Sequence, residues 1–306
     1  MCARKAARIE PQLKSPTTIS SDIMDSRPLD ATNKRPLPDL AKCRKIGFII
    51  PSSNTAVEPI ARAIIESYQD KNIICLFTRV KFQSLDTHAA PTPIFSAEMI
   101  LEAARLLADA ECHAVIWSGV SGQWIGGKLE GEQQLTYLRS TLGRPFGTTT
   151  VAIEQALGWI GATRISIAVP YSEAHVAKVA DFYRESGYHV LATERLPDTP
   201  ENDCRVAGCS DEDIKAVIRR CAVPKSQAIV VSCTHWPAAP LVEELEKELG
   251  VAIIDSISAT VWHAMAKAGL ADNITGWGRL FERPLTEYEQ ELRKTRLAIR
   301  VSKSTT

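Results

Sequence analysis

The amino-acid sequence predicts an α/β protein built from two similar lobes. Two observations lead to this prediction. From Lys45 onward, short apolar runs rich in β-branched residues alternate with longer segments of helical pattern. In addition, the residues that end these runs in the first half of the chain recur in the second half.

The alternation defines each element in turn. The predicted strands are the continuous apolar runs at 46–50, 73–77, 114–118, 165–169, 188–192, 228–232 and 251–254. The predicted helices lie between them, at 56–68, 97–111, 129–142, 173–187, 211–221, 239–249 and 257–269. Continuous apolar strands that alternate with helices are typical of a parallel sheet covered by helices on both faces.

Two pairs of strand ends resemble each other. "IGFIIPSSN" (46–54) and "ISIAVPYSE" (165–173) share a strand, then proline, then serine two residues later. "AVIWSGVS" (114–121) and "AIVVSCTH" (228–235) share a strand, then serine, then one small residue. A duplicated unit is the economical explanation. The predicted fold is therefore two pseudo-symmetric flavodoxin-like lobes with the active site in the cleft between them.

The repeat also predicts how the chain is divided. Residues 42–157 together with 257–290 are assigned to lobe 1, because the segment after Ser256 is expected to pack back on the first lobe. Residues 158–256 are assigned to lobe 2. Residues 1–41 are rich in Pro, Ser and Thr and are predicted to be a disordered extension. Residues 291–306 form a basic C-terminal tail.

Composition narrows the class of partner. Lys and Arg total 36 and Asp and Glu total 36, so the formal net charge is zero and offers no field to hold nucleic acid or an anionic membrane. No apolar run has the length that spans a bilayer. The eight cysteines are expected to be reduced thiols in a cytoplasmic protein, since a chain of 306 residues without an apolar signal segment is not a small disulfide scaffold. Cys204 and Cys209 lack the spacing of a zinc site, and no metal is predicted.

The repeated strand ends are the predicted binding site. In an open parallel sheet, ligands bind beyond the carboxyl ends of the strands. There, 51–54, 119–122, 170–172 and 233–235 would line one cleft, and their backbone donors and hydroxyls suit a small carboxylate or dicarboxylate ligand. Cys233 stands at such an end, where nearby donors would lower its pKa and a substrate would reach it.

These residues resemble the aspartate/glutamate racemase superfamily, and within it the branch of arylmalonate decarboxylases and maleate cis-trans isomerases. The similarity runs from Lys45 to Glu282 and rests on "IGFIIPSSNTAVEP", "PYSE", "SCTHWPAAPLVEELEKELGVAIIDS" and "GWGRLFE". Racemases and isomerases of this superfamily use two cysteines. Here the second is Cys233, whereas its repeat-mate is Gly119.

Glycine at the first position is the pattern of the arylmalonate decarboxylases. The resemblance implies that decarboxylation generates a carbanion without a base, so that Cys233 alone completes the turnover by protonating an enediolate. Ser121 and Tyr171, with the backbone at Val120 and Thr234, would stabilise the enediolate. The hydroxyl residue that follows the glycine in those decarboxylases is Val120 here.

Other residues resemble the isomerases instead. Asn54 in "PSSN", Tyr171 and Asn202 in "PENDCRVAG" match their carboxylate-binding set. Ser53 is expected to help Asn54 hold a carboxylate, although a cluster of Ser and Asn before a helix is also typical of an N-cap. His235 lies two residues from Cys233, in a loop where it need not face the thiol, and is predicted to line the site.

Some of these residues have simpler structural explanations. A proline such as Pro51 often ends a strand without a further role in binding, Gly119 fits a tight turn, and a free cysteine such as Cys233 is often a small buried hydrophobe. Ser256 is first of all an N-cap candidate for the helix that follows it.

The sequence thus predicts an enzyme that needs no cofactor and acts on a small dicarboxylate. Decarboxylation of an arylmalonate-type substrate is the leading hypothesis. Maleate isomerisation or Asp/Glu-type racemisation with an atypical first site is the alternative, and a non-catalytic carboxylate-binding protein is the third. Assembly into a homo-oligomer is left open.

Overall fold

Two parallel four-stranded sheets form the centre of the molecule. The computed structural model describes residues 39–68, 72–82, 95–197, 203–270 and 273–283, with 287, 288, 290, 291 and 294. Nearly all of the predicted extension at 1–41 and most of the tail at 291–306 lie outside the described residues, as does Asn202. The eight described strands are Arg44–Pro51 (β1), Ile73–Val80 (β2), Ala114–Trp117 (β3), Phe146–Thr148 (β4), Arg164–Val169 (β5), His189–Arg195 (β6), Ala228–Val231 (β7) and Ala252–Asp255 (β8).

The two sheets have the same topology. The first has the order β2-β1-β3-β4 and the second the order β6-β5-β7-β8, and all pairings are parallel. The described α-helices are Val57–Glu66 (α1), Ala97–Asp109 (α2), Ser121–Gly126 (α3), Lys128–Leu142 (α4), Thr149–Trp159 (α5), Glu173–Glu185 (α6), Asp211–Arg220 (α7), Val242–Leu249 (α8) and Ser256–Lys267 (α9). Short 3-10 helices cover Asp203–Gly208, Ala239–Leu241 and Arg279–Phe281. The predicted two-lobe α/β fold is confirmed.

Amphipathic patterns explain how the helices cover the sheets. In α1 the buried residues Val57, Ile60, Ala61, Ile64 and Ile65 recur at helical spacing, so one stripe faces the core. By contrast, α9 is buried on all sides except at Lys267 and packs against α1, α5 and β3. The side chain of Asp255 caps α9 by accepting hydrogen bonds from the amides of Ile257 and Ser258, both at 2.8 Å. The N-cap is therefore Asp255, and the expectation for Ser256 was wrong.

The sequence pattern missed three elements of the first lobe. β4 has only three residues, which is too short to show a period. α3 contains two glycines, which have low helix propensity. α5 begins with three β-branched residues and is apolar on most of its surface, so it lacks an amphipathic stripe. With β4 included, the first sheet matches the second strand for strand.

Candidate active site

A cavity lies where the carboxyl ends of both sheets meet. It contains about 330 Å³ of space not filled by atoms, including its open mouth. The described residues that line it come from the loops after β1, β2, β3, β5 and β7 and from the segment before α2: Pro51, Asn54, Phe82, Phe95, Gly119, Val120, Ser121, Tyr171, Cys233, Thr234 and His235. The structure therefore brings together every residue that the sequence predicted for the site except two, Ser53 and Asn202.

The two exceptions differ in kind. Ser53 lies on the same turn as Asn54 but is half-buried and does not line the cavity. Asn202 lies outside the described residues. Their roles in holding a carboxylate stay predictions.

Cys233 supplies the thiol of this cavity. It follows β7 by two residues, and 2% of its surface is exposed. The other described cysteines with placed side chains, Cys43, Cys75, Cys112, Cys209 and Cys221, do not line the cavity. Within the described part of the chain, the cavity therefore holds one thiol.

Gly119 is the counterpart of Cys233 at the end of β3. A Cβ atom added to Gly119 would lie 2.5 Å from Cζ2 and 2.7 Å from Cε2 of Trp117. Such distances are well inside van der Waals contact, so the indole ring occupies the space that a side chain at 119 would need. This position lacks a thiol and also lacks room for one.

Hydrogen bonds between the lobes hold the Cys233 loop in place. The Asn54 amide nitrogen donates to the backbone oxygen of Thr234 at 3.1 Å and to its hydroxyl at 3.4 Å. The Thr234 hydroxyl in turn donates to the backbone oxygen of Ser118 at 3.3 Å. We call this set the cross-lobe bonds. They join the loops after β1 and β3 to the residue that follows Cys233.

Asn54 also organises its own loop. Its side-chain oxygen accepts from the amides of Ala56 at 2.9 Å and Val57 at 3.0 Å, which satisfies two donors at the start of α1. Much of its hydrogen-bonding capacity is thus used within the protein. The N-cap position of α1 is Ala56, so Asn54 supports the start of the helix from two residues before the cap, and a role in binding carboxylate stays a prediction.

His235 contacts the loop after β1. Its Nε2 accepts a hydrogen bond from the Thr55 amide at 3.3 Å. The Nε2 lone pair is directed at Thr55, which places His235 as a support of the cleft wall.

Arg79 fixes the turn that carries Asn54. Its guanidinium donates to the backbone oxygens of Ser52 at 3.2 Å and Asn54 at 2.8 Å, and it pairs with Glu58 at 3.4 Å. The Ser52 hydroxyl accepts from the Phe82 amide at 2.9 Å. These contacts tie the turn to the end of β2.

The lining includes hydroxyl-bearing residues and a pair of phenylalanines, Phe82 and Phe95, which we call the aromatic side. Among the hydroxyl-bearing residues are Ser121 and Tyr171, and the Tyr171 ring packs on Trp124 with centroids 5.4 Å apart. Opposite in character, Phe82 and Phe95 stack at 6.0 Å. Sequence reasoning missed both phenylalanines, although Phe82 stands two residues beyond a strand that ends later than predicted.

The charges of the site are few. None of the described lining residues is Asp, Glu, Lys or Arg. The described residues also contain no group of three or more His, Cys, Asp or Glu side chains able to hold a metal ion. A carboxylate in this cavity would therefore be bound by neutral hydrogen-bond donors of the described residues.

One ionisable group lies just outside the lining. Asp255 ends β8 beside Val231, and burial raises the pKa of its carboxyl to about 7, while hydrogen bonds from Ser258 and Ile257 partly counter the shift. Asp255 thus lies on the strand next to β7, the strand that leads to Cys233.

Comparison with known proteins assigns the chain to a family. The sequence profile of the arylmalonate decarboxylase family matches residues 46–281. The chain belongs to the arylmalonate decarboxylase family. Its relatives are enzymes of two kinds, maleate isomerases and arylmalonate decarboxylases, as the sequence motifs predicted. The chain is therefore an enzyme of the same kind of family.

Both kinds are represented among its relatives. A maleate isomerase of Nocardia farcinica is 23% identical over 245 residues, which cover 78% of this chain and 95% of that protein. An arylmalonate decarboxylase of Bordetella bronchiseptica is 27% identical over 197 residues, which cover 60% of this chain and 78% of that protein.

Solved structures of both enzymes share the fold. A Nocardia farcinica maleate cis-trans isomerase mutant with a covalently bound succinylcysteine intermediate matches with a TM-score of 0.70 at 20% identity, covering 78% of this chain and 98% of that chain. Arylmalonate decarboxylase matches with a TM-score of 0.64 at 23% identity, covering 78% and 99%. These likenesses establish the two-lobe fold. No helix in the described ranges is long and apolar enough to cross a membrane.

Proposed function

We propose that the protein decarboxylates a small malonate-type dicarboxylate and that Cys233 is the proton donor. One observation carries the proposal: the described cavity contains a single thiol, Cys233, and the matching position, Gly119, has neither a thiol nor space for one. Chemistry that needs a proton from one side only is compatible with this arrangement. Chemistry that needs two thiols is not.

The reaction requires few groups. The bond between the α-carbon and one carboxylate breaks, carbon dioxide leaves, and the electron pair stays on the remaining fragment as an enediolate. The Cys233 thiol then gives its proton to the α-carbon, and the thiolate recovers a proton from solvent. The net change is the uptake of one proton, so neither an oxidant nor a base is needed.

We assign uncharged hydrogen-bond donors to stabilise the negative charge that develops on the enediolate. Ser121, Tyr171, Val120 and Thr234 line the cavity. The hydroxyls of the first two and the backbone amides of the last two would donate to the enediolate oxygens. Asn54, with Ser53 and Asn202 as further candidates, would help hold a carboxylate. We assign the α-substituent to the aromatic side at Phe82 and Phe95, because an apolar group gains by leaving water.

Substrate profiling in D2O tests the proposal. The protein is incubated with a series of substituted malonates, with maleate, and with each enantiomer of aspartate and glutamate. We expect carbon dioxide from at least one malonate, and a product with one deuterium at the α-carbon in a single configuration. Solvent deuterium in recovered, unchanged substrate, or conversion of maleate without decarboxylation of any malonate, would contradict the proposal.

Maleate isomerisation is the second candidate, supported by the relatives of that name and by Asn54 in the "PSSN" motif. Here the Cys233 thiolate would add to one alkene carbon, the new single bond would rotate, and loss of the thiolate would give fumarate. Fumarate formation from maleate, with a cysteine adduct detected by mass spectrometry, would favour this reaction. Binding of dicarboxylates with no turnover of any of them would instead favour a carboxylate-binding protein.

A further inference from the structure

Trp117 occupies the space next to Gly119 because of its place in the sheet. It ends β3, a central strand, and pairs with Ile49 on one side and Thr148 on the other. The Thr149 hydroxyl also donates to its backbone oxygen at 3.4 Å. The Trp117 backbone is therefore held from both neighbouring strands.

The indole ring is also confined. Trp117 is 1% exposed, and its ring meets Phe95 edge-on with centroids 4.7 Å apart. Phe95 is itself buried and stacks on Phe82. Moving the indole away from Gly119 would displace this aromatic row, so a side chain at 119 cannot be accommodated by a simple rotamer change.

We infer that Trp117 excludes every side chain from position 119 and so confines proton delivery in the cleft to Cys233, an inference that rests on the decarboxylation proposed above. Trp117 is a positioning residue, since it acts through Gly119 and does not line the cavity. On this account, proton delivery from one face only is a consequence of Trp117 in β3 and not of the identity of residue 119 alone.

A thermal double-mutant cycle tests the steric part without any substrate. Gly119→Ala is expected to lower Tm by about 3 to 10 °C, the usual effect of overpacking a core in a domain of this size. In the Trp117→Phe background, which removes the distal ring atoms, the same change should cost less than half as much. Gly122→Ala is the matched control, because its Cβ would lie 3.5 Å from Phe95, an ordinary contact.

Equal Tm losses for Gly119→Ala in both backgrounds would overturn the inference. Trp117→Leu provides a second background if Trp117→Phe does not fold. Because no turnover is measured, this cycle gives a result even if the proposed reaction is wrong.

A proton-exchange assay tests the functional part. The product acid of a malonate with one methyl and one aryl group at its α-carbon is incubated with each variant in D2O. In Trp117→Phe/Gly119→Cys, one thiolate removes the α-proton and the thiol opposite returns a deuteron to the other face, so optical purity falls. We expect this exchange to be at least about 10-fold faster than in Gly119→Cys alone.

Equal exchange in the single and double variants would show that Trp117 is not the barrier. Absence of carbon dioxide release by the wild-type protein from every malonate would instead contradict the proposed function, and the thermal cycle would still decide the role of Trp117. Alkylation of residue 119 by iodoacetamide, followed by peptide mass spectrometry, reports whether the introduced thiol reaches the cleft.

Discussion

The ends of β3 and β7 occupy equivalent places in the two sheets but are built from different side chains. Trp117 pairs with Ile49 and Thr148 in the first sheet, as Val231 pairs with Ala168 and Asp255 in the second. A serine follows each of these residues. Then comes glycine in the first lobe and cysteine in the second.

The two strand ends differ in the size of the side chains at two positions, 117 and 119 in the first lobe and 231 and 233 in the second. Residues two apart in an extended segment lie on the same face, so a large side chain at one position restricts the space at the other. Trp117 leaves space only for glycine at 119, whereas the residue at the equivalent place in β7 is the smaller Val231, and Cys233 follows it by two residues. A duplicated fold can therefore become one-sided in its chemistry through paired changes along a single strand.

Removing the Cys233 thiol is the most direct test of this difference between the two strand ends. We expect Cys233→Ser to lower kcat by about 10²- to 10⁴-fold, the range of general acid catalysis, with little change in Tm. Cys221→Ser is the matched control: burial raises the pKa of Cys221 to about 12, and its thiol donates to the Ile167 backbone oxygen at 3.3 Å, which serine can also do. Carbon dioxide release and thermal unfolding are measured for both variants.

Retention of more than a tenth of the wild-type rate by Cys233→Ser would remove Cys233 from the proposed mechanism. An equal loss of activity in Cys221→Ser would show that the effect is structural.

The elements that could be predicted are those that leave a clear hydrophobic pattern in the sequence. The continuous apolar runs of β1, β3, β5 and β7 identified the central strands, because strands buried on both faces need apolar residues throughout. β4 was missed since three residues carry no period, and β2 and β6 extend beyond the predicted ends because their last residues include polar side chains at the sheet margins.

Those residues of the candidate site that directly follow a strand could be predicted from the sequence. Asn54, Gly119, Tyr171 and Cys233 came from the repeat, since parallel strands end at one edge of the sheet. The aromatic side was not predicted, because Phe95 precedes a helix and does not follow a strand. Nor does sequence alone reveal that the Trp117 ring turns towards Gly119, since that depends on packing against Phe95.

Changing pH tests a second difference between the sheets. Thr148 and Asp255 hold equivalent places, and each caps the helix that follows it, but only Asp255 ionises. Its pKa is raised from 3.8 to about 7 by burial, so the folded state binds this proton more tightly than the unfolded state. The associated stability is complete below about pH 4 and is lost as pH rises to about 7.

Asp255→Asn keeps the oxygen that accepts from Ile257 and Ser258 and removes the charge. We expect the free energy of unfolding of the wild type to fall, relative to this variant, by up to about 4 kcal/mol between pH 4 and pH 8. Urea denaturation across this range measures the difference. Thr148→Ser is the control and should parallel the wild type at every pH. Parallel curves for Asp255→Asn and the wild type would contradict the raised pKa.

The smallest expected effect concerns the bonds that join the two strand ends. The Thr234 hydroxyl, next to Cys233, donates to the backbone oxygen of Ser118, next to Gly119. Thr234→Val keeps the shape of the side chain and removes this hydrogen bond together with the longer one from the Asn54 amide nitrogen to the hydroxyl, while Asn54 keeps its bond to the Thr234 backbone oxygen. We therefore expect a loss of about 1 kcal/mol of stability and less than a 10-fold decrease in kcat.

Thr163→Val is the matched control, because the Thr163 hydroxyl donates to Gln227 within the second lobe. It should leave kcat unchanged, since it removes no bond between the lobes. If both variants lower kcat equally, the cross-lobe bonds do not position the thiol, and the Cys233 loop must be held by its own lobe. If only Thr234→Val lowers kcat, the first lobe contributes to proton delivery through the placement of Cys233, even though it carries no thiol in the described cavity.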